Sequence, residues 1–228
     1  LAENAEGYKN ICKLTTRAHM DPPERPGPNG VLPALAPSLL KDHASGVICL
    51  SGCRHGEISE LVLAGSLSEA RRLSAQYRDW FGANNFFLEL QQNLVLDDTE
   101  RNRLMADIGS DLGIPIVATN NAHYHLRERS HLNDILVAIQ HNKSLEETHR
   151  ERRANDQFYL KSSDEMASLF TAYPEAIENT VRIADRCDFD LTSEKVYDFP
   201  DYDVPEGHTQ TRWLRKLCEE AAIRKYGE

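Results

Sequence analysis

The chain has 228 residues, 40% hydrophobic and 27% charged, and its 36 acidic against 26 basic side chains give a formal net charge of −10. That length suffices to bury a core without staples. No run of about 18 apolar residues exists to span a membrane, and so acidic a surface is a poor non-specific binder of phosphate chains. Five cysteines with no Cys-x-x-Cys pair argue against a disulfide framework and for a reducing, cytoplasmic setting. No signal peptide is visible, and both ends read as cuts in a longer chain.

Residues 3–19 can form a helix with Ile11, Leu14 and Ala18 on one side. From Asp21 to Gly30 come four prolines and two glycines, which exclude helix or central strand. A short helix is expected over 34–43. An α/β rhythm follows. Val47-Ile48-Cys49-Leu50 reads as a buried strand, residues 57–64 and 68–81 as helices, and Phe86–Leu90 as a second strand. Residues 97–112 read as a helix stopped by Gly113, 114–118 as a third strand and 127–140 as another helix. Strands alternating with helices predict a mostly parallel sheet or barrel. The rhythm stops near residue 141. The polar run 146–156 reads as a solvated loop, and Ser162–Glu165 as a capping box. Pro174 opens a helix through Arg186 with Ile177, Val181 and Ala184 inward. Residues 190–208 read as an extended connector, and 209–226 as an amphipathic helix carrying Trp213, Leu214 and Leu217.

In α/β folds the chemistry gathers at the carboxyl ends of parallel strands. Cys53, His55 and Glu57 follow the first strand; Asn121, His123 and His125 follow the third. Cys and His suit Zn²⁺, with oxygen ligands helping for other metals. The bland readings stand beside this one. A cysteine after a strand is usually a small buried hydrophobe, Asn120-Asn121 is turn chemistry, and His125 and His131 sit among charged surface residues. His19, His43, His141, His149 and His208 have no partner at a telling spacing. The aromatics of 158–173 read as core, and Asp188 and Asp190 as structural. No GxxxxGK[ST], GxSxG or HExxH occurs, so those phosphate-loop and hydrolase classes have no support.

Six strings in order carry a resemblance: Leu1–Asn10, Leu50-Ser-Gly-Cys-Arg-His-Gly-Glu57, Phe86-Phe-Leu-Glu-Leu90, Val117-Ala-Thr-Asn-Asn-Ala-His-Tyr124, Tyr159–Ser162 with Glu165-Met166, and Pro174–Cys187. Together they resemble the PHP (polymerase and histidinol phosphatase) domain of the bacterial C-family DNA polymerase III alpha subunit. The stretch His123–Arg129 and the connector Phe199–Gly207 look closest to the error-prone, damage-inducible branch. The resemblance implies an α/β fold: part of a distorted (β/α)7 barrel over 1–141, then over 142–228 a helical extension and connector leading toward a polymerase palm. It implies a metal site in which Cys53 matches the family's Cys ligand and His123 the last His of its Asp-x-His motif. Asn121 stands where the family has Asp, and an amide is a weaker ligand and no base. The other ligands, including an opening His-x-His, are expected upstream of Leu1.

The function so implied is a fragment of an error-prone DNA-directed DNA polymerase acting in repair and lesion bypass. The parent would use Mg²⁺ and dNTPs on primer-template DNA, with the sliding clamp and lesion-bypass accessory proteins as further partners. The segment itself is expected to be a degenerate PHP domain with a structural role, Zn²⁺ or Mn²⁺ being the ions its site would take. Two rivals stand beside that reading. One is an active metal-dependent phosphoesterase, either a 3′→5′ exonuclease or a stand-alone phosphatase in which metal-activated water attacks a phosphate ester. The other is a non-enzymatic docking module for accessory subunits.

Overall fold

A computed structural model describes residues 1–20, 33–192 and 202–227, and the backbone of a two-residue antiparallel pair, β1 (Pro26–Gly27) with β2 (Gly30–Val31). The rest of the Pro/Gly segment and most of the expected connector, 193–201, lie outside the described residues. The described residues fall into two compact units, Leu1–Phe189 and Asp190–Glu228.

The first unit is a mixed α/β body around three parallel strands in the order β3-β4-β5. These are β3 (Cys49–Leu50), β4 (Phe86–Gln91) and β5 (Ile116–Thr119), with Leu50 opposite Phe87 and Leu88 opposite Ile116. Parallel neighbours need crossovers. α3 (Glu57–Leu63) and α4 (Leu67–Phe81) carry the chain from β3 to β4, and α5 (Asp98–Leu112) from β4 to β5. α5 ends where Gly113 takes a left-handed φ of 65°, the conformation in which a missing Cβ matters. α1 (Ala5–Met20) begins the unit, and the short α2 (Ser38–Asp42) precedes β3. Leu1 exchanges backbone hydrogen bonds with Ile48 at 2.7 and 3.0 Å.

β4 is buried along its whole length. Its successive side chains point to opposite faces. Phe86, Leu88 and Leu90 join the larger core with Ile58, Val62, Ala70, Met105 and Ile108 from the crossover helices. Phe87 belongs to a second cluster with Ile48, Val117 and Ile183. Ile183 comes from α8 (Pro174–Arg186), which lies along β5.

Two sequence expectations are corrected here. In α8 the buried residues are Ala176, Asn179 and Ile183, with Val181 and Ala184 facing outward. Ala176 and Ile183 enter the two apolar clusters, and between them the Asn179 amide donates to the outer carbonyl of Ile116 at 2.8 Å. Along 146–156, Thr148 is fully buried, Arg152 pairs with Asp134 and Lys143 with Glu151. Polarity there serves pairing as much as hydration. The expected capping box forms: Ser162 and Glu165 cap α7 (Ser163–Leu169) reciprocally. The second compact unit starts at Asp190, so α8 belongs to the first, beyond residue 141 where the rhythm of the sequence ends.

Within the second unit, α9 (Gln210–Tyr226) is capped by the Thr209 hydroxyl, and none of its residues is buried. No helix among the described residues is long and apolar enough to cross a membrane.

Candidate functional site at the strand ends

Beyond Phe87, the face of β4 that carries it turns polar. Glu89 and Gln91, next on that face, are buried. Glu89 Oε2 accepts the Gly52 N–H at 3.1 Å, and its Oε1 accepts from the Gln91 amide at 2.7 Å and from the Thr119 hydroxyl. The Ser51 hydroxyl in turn accepts the Glu89 N–H at 2.8 Å. One carboxylate thus joins the ends of all three strands.

The loop after β4 is closed in the same manner. Asp98 accepts the N–H groups of Asn93 and Val95 at 2.9 and 3.1 Å and pairs with Arg101 at 3.2 Å, both side chains being almost wholly buried. Arg101 donates to the Gln91 carbonyl at 2.6 Å. Burial pulls the Arg101 guanidinium below its ordinary value, and the Asp98 carboxylate opposes this. Asn93 donates to the carbonyls of Asn120 and Gln157.

Cys53 leaves β3 half-buried, in a turn where its carbonyl accepts the Gly56 N–H at 2.8 Å. A Cβ at residue 56 would stand 2.6 Å from the Ser51 oxygen, which explains a glycine in that string. His55 and Glu57 are exposed; Glu57 accepts the Tyr77 hydroxyl at 2.9 Å, and His55 lies 4.0 Å from Glu60. Asn121 follows β5 with a φ of 49°, a region asparagine tolerates better than most residues. His123 is exposed, and its N–H donates to the Phe158 carbonyl at 2.7 Å. An Arg153 nitrogen is 3.3 Å from its Nδ1. Partial burial, then the Arg153 charge, hold the imidazole below the usual histidine value. His125 and His131 are exposed. Asp190 accepts twice from Thr192 in a local turn.

The structure therefore places the Cys53 turn and the Asn121–His123 segment on either side of β4. With strands about 4.8 Å apart, β3 and β5 are separated by roughly 10 Å. Among the described residues no three His, Cys, Asp or Glu side chains gather closely enough to hold a metal ion. Asn121 brings no charge, and a guanidinium nitrogen stands 3.3 Å from His123 Nδ1. The residues present do not fit a bound metal. Sequence reasoning missed Glu89, Gln91, Asp98, Arg101 and Arg153. Glu89 and Gln91 had a signal, two polar residues at alternate positions of an apolar run; Arg153 lies in a charged stretch and had none.

Residues 1–93 match the family described as PHP domain. That match lies in the N-terminal part of the chain. Its relatives are DNA polymerases. It is 36% identical over 239 residues to an error-prone DNA polymerase of Symbiobacterium thermophilum, covering 100% of this chain and 22% of that protein. It is 35% identical over 229 residues to a DNA polymerase III subunit alpha of Treponema pallidum, covering 99% and 19%. It is 32% identical over 236 residues to the DNA polymerase III subunit alpha of Thermus aquaticus, covering 99% and 18%. The chain thus spans about a fifth of the length of these relatives.

Proposed function

We propose that this chain is a scaffolding PHP domain of a DNA-directed DNA polymerase. The observation that carries the reading is that similarity to polymerase subunits runs over 99–100% of the chain, past residue 93 where the PHP match stops and through α9. The three parallel strands are then part of a distorted (β/α)7 barrel, with residues 1–141 its carboxyl-terminal part and 142–228 the extension toward the polymerase core. The parent transfers nucleotidyl groups from dNTPs to a primer 3′ end with Mg²⁺, in the cytoplasm, and the sliding clamp and lesion-bypass proteins are its further partners. Nucleotidyl transfer is assigned to residues outside this chain.

Cys53, Asn121 and His123 are read as a remnant of the family's ligand set. Support comes from the carboxamide at 121, the guanidinium against His123 and the closed Glu89 network. Assignment to the error-prone branch rests on the His123–Arg129 string and the Phe199–Gly207 connector sequence; identities of 36% and 35% do not separate the branches. The test uses the intact protein and a Cys53→Ala/His123→Ala double variant. Both should extend a primer equally, with a raised misincorporation rate, and neither should degrade a mismatched 3′ end with Zn²⁺ or Mn²⁺. Absence of dNTP-dependent extension would sink the polymerase reading. A nuclease activity lost in the double variant would establish the phosphoesterase instead.

A further inference from the structure

Arg153, His123 and Phe158 fix one another at the carboxyl end of β5. The Phe158 carbonyl holds the His123 backbone N–H, and the Phe158 ring meets the imidazole edge-on with centroids 5.9 Å apart. The Arg153 guanidinium lies 5.3 Å from the centroid of that ring, and from there one of its nitrogens reaches His123 Nδ1 at 3.3 Å. A guanidinium has only donors. Nδ1 is therefore the accepting nitrogen, and the neutral ring carries its proton on Nε2.

A ligating histidine has the opposite polarity. One nitrogen gives its lone pair to the metal while the other donates its N–H to a carboxylate, a carbonyl or water. Beside His123 a donor stands where that acceptor belongs. The Nδ1 lone pair is occupied by Arg153, and Nε2 is occupied by its own proton. Moving the proton to Nδ1 would oppose two N–H groups and leave a fixed positive charge beside the incoming cation.

We infer that Arg153 is a positioning residue that holds His123 in a non-ligating tautomer and so excludes divalent cations from the end of β5. The inference rests on the scaffold reading and supplies a cause for it. Removing the guanidinium should open His123 to metal.

The test is Zn²⁺ binding to the intact protein by equilibrium dialysis and elemental analysis, with the absorption of bound Co²⁺ as a second readout. Arg153→Met keeps a stem on the Phe158 ring and removes the donors. Arg153→Lys keeps a charged donor. Arg153→Met should raise Zn²⁺ affinity about 10- to 100-fold, the range over which such outer partners tune histidine sites. Adding His123→Ala should abolish the gain, and Arg153→Lys should behave as the wild type. Co²⁺ bands of a nitrogen-ligated ion should appear only in Arg153→Met. Circular dichroism checks each fold, and Arg153→Leu, which also has no donor, replaces a methionine variant that fails to fold. An unchanged Zn²⁺ affinity in a folded variant overturns the inference and leaves the scaffold reading standing. A tight, His123-dependent Zn²⁺ site in the wild type overturns both.

Discussion

Along β4, Phe86, Leu88 and Leu90 turn toward the crossover helices and enter the larger apolar core, whereas Phe87, Glu89 and Gln91 turn the other way, where packing gives way to hydrogen bonding. One strand thus supplies two kinds of stability. The first face loses in proportion to the area and volume removed. On the second, each polar group is held by another, and deleting one strands its partners. In an open catalytic pocket, polar side chains would keep unpaired atoms for a ligand. Here the chain's own groups take up the oxygens of Glu89, so this face braces the three strands.

The largest expected effect comes from breaking the buried ion pair beyond β4. Asp98→Ala leaves Arg101 charged and unpaired with its side chain 3% exposed, and should cost about 3–5 kcal/mol. Hydrogen exchange of peptides covering Asn93–Asn102 would report it; a loss below about 1 kcal/mol would show that water reaches Arg101. Next, on the apolar face, Leu88→Ala should cost about 3 kcal/mol through lost burial and the cavity left behind. On the opposite face Glu89→Ala leaves the Gly52 N–H and the Thr119 hydroxyl without their acceptor, while the Gln91 amide keeps only the Thr119 oxygen at 3.1 Å, for about 2 kcal/mol. Its signature should be faster amide exchange at Gly52, whose N–H Glu89 accepts and which Leu88→Ala leaves paired. Equal exchange changes in both variants would erase the distinction between the faces.

The smallest effect is local and pH-driven. The Tyr159 hydroxyl first, then the Ser162 N–H and hydroxyl, pull the Glu165 carboxyl from its ordinary 4.5 down to about 2. A depressed carboxyl stabilises the fold fully above its unfolded value and loses that contribution as pH falls through the folded one. The α7 cap should therefore hold above pH 4.5 and open between 4.5 and about 2. Amide exchange at Ser162 and Glu165 measured across that window checks the sign; protection that rises as pH falls would contradict it.

Much of this architecture is legible in the residues. The apolar run Phe86–Leu90 marks a buried strand, Gly113 ends α5, and Ser162 with Glu165 marks a cap. What stays hidden is which face a helix or a polar run presents. Periodicity alone turned Val181 inward in α8; the buried face instead runs through Ala176, Asn179 and Ile183, with the Asn179 amide on the Ile116 carbonyl. Charge alone placed 146–156 in solvent, yet Asn155 reaches back to the Asn93 carbonyl at 2.8 Å and Arg153 to His123. Local sequence reports hydrophobicity and spacing, whereas these partners lie 63, 62 and 30 positions away. For the same reason the strings around Cys53 and His123 identify a family and cannot report whether the two side chains share a ligand.

The central claim is that the strand ends are a brace closed by the chain's own groups, and the proposal built on it is that they take no metal. Its most direct test is the metal content of the intact protein, purified with Zn²⁺ and Mn²⁺ present and compared by elemental analysis with the Cys53→Ala/His123→Ala variant. Equal metal content in the two proteins is the predicted result. A stoichiometric ion in the wild type that disappears in the variant would contradict it and make the β3 and β5 ends a working metal centre.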